Sequence, residues 1–209
     1  MLGVQASFIG DAAASSGYFE ESLKLLRKGA DPWRLASLLN NLGYLAHQRA
    51  DASVPARELV GEAVGLARET GDPWMICIVL ESLATIEFDA NDHRQAREHW
   101  TECLTIAREL GDMWQTSYLV EGMARLLIAE HDVETAVELL GAAGSMREAT
   151  GARREPPVDT VVAKSLADTR QVLGDDKAEQ AMRRGSQMSA DDAIARALEA
   201  SAALTLSVR

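Results

Sequence analysis

The sequence predicts an all-α protein built from repeated helical hairpins, and three observations lead to that prediction. The short segments GADPW, GDPW and GDMW recur, so that Trp33, Trp74 and Trp114 lie 41 and 40 residues apart. A spacing in this range is typical of stacked supersecondary repeats. The segments between the tryptophans have the apolar periodicity of amphipathic helices. No segment carries a competing strand pattern.

The glycine of each recurring segment predicts the end of a helix. The amphipathic runs LARET, IAREL and MREAT are followed directly by Gly71, Gly111 and Gly151. Glycine takes the left-handed backbone conformation without a Cβ penalty, which is why it commonly closes helices. We therefore expect a helix to end at each of these three glycines.

The aspartate of the recurring segment predicts the start of the next helix. The side chains of Asp31, Asp72 and Asp112 are placed to accept hydrogen bonds from the free amides of a first helical turn. Pro32 and Pro73 suit the first helical position, which needs no N–H group. Because the stop and the start are adjacent, consecutive helices must turn back sharply and pack antiparallel. We expect the tryptophan to lie in that corner, as a structural residue and not a catalytic one.

A helix is therefore predicted on each side of every hinge. In DHRQAREHWTECLTIAREL the apolar residues from Ala96 to Leu110 fall on one helical face. The polar breaks ADASV, NDH and HDV separate the two helices of each hairpin. The earlier segment DAAASSGYFEESLKLLRK predicts the end of a preceding unit, with a turn at Gly17 and a helix from about Phe19 to Lys28. The other predicted helices span residues 34–50, 56–70, 73–90, 93–110, 113–130 and 133–149.

The region after residue 150 predicts a connector and a terminal cap. The segment GARREPP interrupts the repeats, and Pro157 is expected to open a further helix. Gly174 and Asp175 repeat the stop-and-start arrangement, and Ser189 is placed to cap the last helix. Repeat arrays need an end unit that shields the last apolar face, and this region is expected to provide it.

Composition narrows the classes of function. A chain of 209 residues with 47% hydrophobic content has enough apolar surface for a substantial core. Its formal net charge of −11 would repel phosphate backbones, so direct binding of nucleic acid is not expected. The N-terminal MLGVQASFIG lacks signal-peptide features and no apolar run is long enough for a bilayer, so a cytoplasmic protein without membrane contact is expected. Cys77 and Cys103 are expected to be buried, because they fall on apolar helix positions.

The sequence contains no motif for catalysis or for cofactor binding. It has neither GxxxxGK[ST] nor GxGxxG, so ATP binding is not expected. His47, His93, His99 and His131 show no HExxH or i, i+4 pairing and are interpreted as solvated residues, not metal ligands. The prediction is no enzyme, no cofactor and no metal. An enzyme is kept as an alternative that a screen for hydrolase and transferase activity would reveal.

Aligned on their internal turns, the hairpins resemble the tetratricopeptide repeat, in which small residues let helices approach and large ones fill the gaps. Their length near 40 residues departs from the roughly 34 of the standard repeat. The alternative is a generic helical bundle. The matched positions are Leu42, Gly43, Ala56, Val60 and Ala63, then Leu83, Ala84, Ala96, Trp100 and Cys103, then Met123, Ala124, Ala136, Leu140 and Ala143.

The resemblance implies an all-α, tetratricopeptide-like helical-hairpin solenoid, a right-handed superhelix with a C-terminal helical cap. Its repeats would occupy residues 1–150, and the connector and cap would occupy 151–209. Within the repeats, the partial unit is 1–28 and the full units are 29–70, 71–110 and 111–150.

A second resemblance bears on function. The GDPW hinges, then AVELLGAAGSMREATGARREPP, then LGDDKAEQAMRRGSQMSADDAIARALEA resemble the C-terminal region of large bacterial MalT-like and LuxR-type regulators and related ATPase-linked proteins. This similarity implies a protein- or effector-binding regulatory module, the sensor or interaction part of a transcriptional regulator. Its partners would be a protein, a peptide or a small effector, and homo-oligomers are compatible with it. The alternative is a free-standing scaffold or adaptor unrelated to transcription.

The tetratricopeptide resemblance also implies a binding groove. In that family the first helices of successive units line a concave face, and aromatic and polar side chains on it contact the ligand. The other interpretation of these positions is that they are ordinary solvated sites between stacked helices. The groove positions carried over are Asn40, Tyr44, His47, Gln48, Glu81, Thr85, Phe88, Asp89, Tyr118, Glu121 and Arg125.

Overall fold

The computed structural model describes residues 31–51, 55–152, 164 and 167–207, and every regular element in those ranges is an α-helix. The all-α prediction is thereby confirmed for the described part of the chain. The predicted partial unit 1–28 and the predicted helix start at Pro157 lie outside it. In chain order the helices are α1 Pro32–Gln48, α2 Ala56–Thr70, α3 Pro73–Asp89, α4 His93–Leu110, α5 Met113–Ala129, α6 Val133–Thr150, a helical stretch at 167–173, α7 Asp175–Ser186 and α8 Ala190–Ser207.

The three hinge glycines have the predicted conformation. Gly71, Gly111 and Gly151 have φ angles of 67, 64 and 70°, all in the left-handed region that closes a helix. A fourth glycine, Gly174, has φ 81° and precedes α7. No side chain caps α7, and Asp175 is its first residue, so the stop-and-start arrangement is incomplete at this point.

The aspartates begin the next helices as predicted. Asp31, Asp72 and Asp112 each accept a hydrogen bond from a backbone amide in the first turn of α1, α3 and α5. Ser189 does the same at α8, where its hydroxyl accepts a hydrogen bond from the amide of Asp192 at 3.1 Å. The helix starts therefore follow from local side-chain chemistry.

The hinge tryptophans are more exposed than a corner placement implies. Trp33, Trp74 and Trp114 keep 38, 39 and 45% of their surface in contact with solvent. Their rings are therefore partly buried, and in α3 the position that faces the core belongs to Met75, which is 2% exposed. Since each helical residue is rotated by about 100° from the last, Trp74 is directed to one side of Met75 and stays partly exposed.

The chain divides into two compact units, with the division after Ala96 within α4. In the first unit, α1 and α2 form a hairpin and α3 packs against both. The α1–α2 contact is close at Gly43, where a Cβ would come within 2.7 Å of Val60 and 2.9 Å of the Ala56 carbonyl oxygen. The matched small residue thus allows these two helices to approach.

In the second unit, α5 and α6 form the hairpin, α7 packs on α6, and α8 packs on α5 and α6. Trp100 of α4 is completely buried, and a Cβ on Gly122 of α5 would come within 2.6 Å of its ring. The hydroxyls of Thr101 and Ser201 are 3.0 Å apart, which brings α8 next to this part of α4.

The positions matched to the repeat pattern lie in these cores. All of them are buried except Leu42 and Ala56, which are half-buried. Cys77 and Cys103 are buried free thiols, as predicted. Among the helices that the structure describes, none combines the length and the apolar character needed to cross a membrane.

Candidate functional site

In the first unit, the predicted groove positions lie on α1 and α3, which pack against each other. His47 and Asp89 join the last turns of these helices, with 2.9 Å between His47 Nε2 and Asp89 Oδ2. Their side chains are 23 and 39% exposed, so solvent or a ligand reaches both. The structure therefore brings together two predicted residues that are 42 positions apart in the sequence.

An aromatic surface lies beside this pair. Phe88, next to Asp89 on α3, stacks on the ring of His93 with 5.1 Å between the centroids and 14° between the planes. Tyr44 is half-buried one turn before His47, and Gln48 is exposed. Rings and polar groups thus occur together near the ends of α1 and α3, the combination that small-molecule and peptide sites use.

Two of the remaining groove positions of this unit, Asn40 and Thr85, are buried. Asn40 is 6% exposed, and its side-chain oxygen has no hydrogen-bond partner among the described residues. Thr85 is 9% exposed, and its hydroxyl donates to Glu81 at 3.2 Å within α3. Asn40 and Thr85 therefore contribute to the contact between helices more than to an open surface.

In the second unit, the groove positions Tyr118, Glu121 and Arg125 lie on α5, and a residue that the sequence did not single out joins them. Arg147, near the end of α6, is 5% exposed, and its Nη2 lies 3.0 Å from Glu121 Oε2. Its guanidinium carbon lies 4.1 Å above the centre of the Tyr118 ring. Arg125 is half-buried.

The Arg147 guanidinium is held mainly by charge and by the ring. The contact with Glu121 is short enough for an ion pair, but it is not aligned as a hydrogen bond, and none of the three guanidinium nitrogens has a hydrogen-bond partner among the described residues. A buried guanidinium gains from a cation–π contact because the ring replaces part of the lost hydration. Tyr118 in turn lies 4.9 Å from the exposed Trp114 ring, so the cluster reaches the surface through aromatic side chains.

A second cluster that the sequence did not reveal anchors the C-terminal helices. Glu138 of α6 accepts from Arg184 Nε on α7 at 2.7 Å and from Arg196 Nε on α8 at 3.2 Å. Arg184 also reaches Glu134 at 2.7 Å, and Arg196 donates to Thr135 at 2.7 Å. The hydrogen bond to Glu138 raises the pKa of Arg184 further above its usual range. This cluster is structural, because its members are paired with one another across α6, α7 and α8.

Metal chemistry has no visible basis in the described ranges. No group of three or more histidine, cysteine, aspartate or glutamate side chains there is arranged to hold an ion. His47 and His93 instead make the contacts with Asp89 and Phe88 given above.

Comparisons with known proteins assign neither a family nor a function to this chain. No protein-family model matches the chain, and no curated protein matches it significantly. The chemistry of a candidate site therefore rests on its own residues.

Proposed function

We propose that this chain is a protein- or effector-binding regulatory module, the sensor or interaction part of a bacterial transcriptional regulator. The observation that carries the proposal is the convergence of Tyr44, His47, Phe88 and Asp89 at the ends of two packed helices. Two of these side chains are aromatic and two are a hydrogen-bonded polar pair. Such a surface provides apolar contact area together with groups that orient a ligand.

The second unit supports the same proposal with a similar combination. Tyr118 lies between the exposed Trp114 ring and the Arg147 guanidinium, and Arg125 lies on the same helix. Aromatic and arginine side chains contribute a large share of binding energy in protein interfaces. Each unit is proposed to contribute its own contacts.

The proposal includes the architecture that the repeat pattern implies. A tetratricopeptide-like solenoid, a right-handed superhelix with a C-terminal cap, would place the first helices of successive hairpins on one concave face. The resemblance of the hinges and the tail to MalT-like and LuxR-type regulators supports a regulatory role. Small-angle scattering on the purified chain is the test of shape: a profile of an elongated curved particle supports the solenoid, and that of a compact bundle contradicts it.

Binding is tested in two steps. Native and denaturing mass spectrometry of the purified chain first identifies any compound or polypeptide that co-purifies with it. Calorimetry with that identified molecule then compares the wild-type chain with Tyr44→Ala and Arg125→Ala. We expect each variant to weaken binding by about 1–3 kcal/mol. Little change in melting temperature is expected, because the two side chains are only half-buried.

A matched control is Glu199→Ala, a change at an exposed residue of α8, a helix that carries none of the groove positions. Its affinity should equal that of the wild type. Unchanged affinity in both groove variants, with helical content retained, would contradict the proposed surface. The gene sequence upstream of Met1 distinguishes the regulator from a free-standing scaffold. An ATPase module encoded in frame with this chain is expected only for the regulator.

A further inference from the structure

The first unit exposes two tryptophans, one in the first turn of α1 and one in the first turn of α3. Trp33 and Trp74 are 38 and 39% exposed, and they are the large apolar side chains that the described part of this unit leaves most open to solvent. Exposed aromatic clusters of this kind mark interaction surfaces more often than isolated apolar residues do. We call the group Trp33, Asp72 and Trp74 the hinge patch.

A single carboxylate connects both tryptophans. Trp33 Nε1 donates to Asp72 Oδ2 at 2.8 Å, and the other oxygen of Asp72 accepts from the backbone amide of Trp74 at 3.0 Å. The Trp33 ring is therefore held by its edge, and its faces are not used by this hydrogen bond. A ring fixed in this way is oriented in advance for stacking, which lowers the entropy cost of binding.

The charge near the hinge patch favours a cationic partner. Asp31 and Asp72 each place a full negative charge at a helix N-terminus, which outweighs the roughly half positive charge of the helix dipole there. The exposed Arg34 lies 3.5 Å from Asp31 and offsets its charge, so the negative charge beside the two indoles comes from Asp72. The whole chain carries a formal charge of −11, so a cationic segment is attracted and a second copy is repelled.

The size of the hinge patch also distinguishes between occupants. Two indoles that are about two-fifths exposed offer roughly 200 Å² of apolar surface, if a tryptophan buries at most about 250 Å². A stable dimer needs about 800 Å² from each partner. The hinge patch therefore fits a short segment of a partner and is too small for self-association.

We propose that the hinge patch binds an arginine-containing basic segment of a partner protein, with a guanidinium stacked on an indole face. Arginine fits better than lysine, because its planar and weakly hydrated cation stacks on aromatic rings. The Asp72 carboxylate contributes charge, since its oxygens are already engaged by Trp33 and by the first turn of α3.

This surface is distinct from the groove proposed above. The hinge patch lies at the first turns of α1 and α3, whereas His47 and Asp89 lie at their last turns. Each helix has 17 residues, which separates its two ends by roughly 24 Å. The two proposals therefore succeed or fail independently.

Fluorescence anisotropy with a labelled acetyl-GRRGRRG-amide peptide tests the proposal. We expect the wild-type chain to bind this probe more tightly than it binds acetyl-GKKGKKG-amide. The double variant Trp33→Leu, Trp74→Leu should bind it about tenfold more weakly, because both aromatic faces are lost while the net charge is unchanged. The variant Trp33→Phe, Trp74→Phe keeps aromatic faces and should retain most of the affinity.

Val172→Ala is the control, since it removes exposed apolar surface in the second unit and leaves the hinge patch and the groove positions intact. Its affinity for the arginine peptide should equal that of the wild type, and circular dichroism should show all variants folded. Absence of binding by the wild type, equal binding of both peptides, or unchanged affinity in the leucine variant would overturn the proposal. So would a dimer in sedimentation that the leucine variant abolishes, because the occupant would then be a second copy.

Discussion

Gly185 on α7 lies directly against the backbone of Glu138 on α6. A Cβ at residue 185 would come within 2.7 Å of the Glu138 carbonyl carbon and still closer to its oxygen. Gly141, on the next turn of α6, is equally confined, since a Cβ there would come within 3.1 Å of the backbone nitrogen of Ser186. The two helices thus meet backbone to backbone at a pair of glycines.

This crossing predicts a large difference between two glycine substitutions. Gly185→Ala should destabilise the fold by about 3 kcal/mol, because the added methyl meets rigid backbone and α7 must move away. Gly144→Ala, on the same α6 helix, should stabilise it by roughly 0.5–1 kcal/mol, because nothing lies within 4 Å of its Cβ and alanine favours helix. Urea denaturation followed by circular dichroism measures both, and equal effects would contradict the close crossing.

A second prediction separates two tryptophans that look alike in the sequence. Trp100→Ala should cost about 3–5 kcal/mol, because its ring is fully buried against Gly122. Trp74→Ala should cost about 2 kcal/mol less than Trp100→Ala, since 39% of that residue is already exposed and contributes no burial. Thermal melts of the two variants provide the comparison. A Trp74 variant as unstable as the Trp100 variant would show that the hinge ring is buried after all.

A third prediction concerns the stability of the fold at acidic pH. Arg57 Nη2 lies 3.0 Å from both Glu87 and Asp92, and its hydrogen bond to Asp92 is the main cause that lowers the pKa of that carboxyl below the ordinary 3.8. A carboxyl whose pKa is lower in the folded state stabilises the fold above the unfolded pKa, and this contribution is lost as the pH falls through the lower folded pKa. The contribution of Asp92 should therefore be present at neutral pH and disappear below about pH 4.

Carbon-detected NMR titration of the Asp92 carboxyl measures this effect directly. Its midpoint should lie below 3.8 in the wild type and rise in Arg57→Met. Arg34→Met is the control, because Arg34 pairs with Asp31 instead. An Asp92 midpoint that does not respond to the loss of Arg57 would rule out this ion pair in solution.

The helices and hinges could be predicted because their signals are local. A glycine in the left-handed conformation and an aspartate at the N-cap act within a few residues, so the sequence places the ends of α1 to α6 within two residues of their observed positions. The orientation of the hinge tryptophans is not determined by neighbouring residues, since it depends on which face of the first helical turn packs on the core. The sequence therefore predicts that Trp74 lies at a hinge but does not predict that 39% of it is exposed.

The contacts of the candidate sites were predictable only in part. The resemblance to a repeat placed His47 and Asp89 on one surface, and the structure joins them. Glu138 and its partner Arg184 are 46 residues apart, and neither belongs to a motif whose spacing would reveal the pair. Arg147 lies at the end of an amphipathic run, where a solvated cation is the usual interpretation, yet it is buried.

The buried ion pair of Arg147 and Glu121 yields the last prediction, which decides whether Glu121 is structural or available to a ligand. Arg147→Met should destabilise the fold by about 3–5 kcal/mol, because Glu121, itself 4% exposed, would keep a buried charge after this ion pair is lost. The double variant Arg147→Met, Glu121→Leu should recover most of that loss, because two apolar side chains of similar volume replace the pair.

Urea denaturation of both single variants and of the double variant gives the coupling energy. A coupling above about 1 kcal/mol assigns Glu121 to the packing of α5 on α6, and the groove of the second unit is then left with Tyr118 and Arg125. Strict additivity would contradict the pair, and Glu121 would then stay a predicted groove position. Arg125→Met is the control, because its half-buried side chain lies on the same helix outside the Arg147 contact, and it should cost less than about 1 kcal/mol.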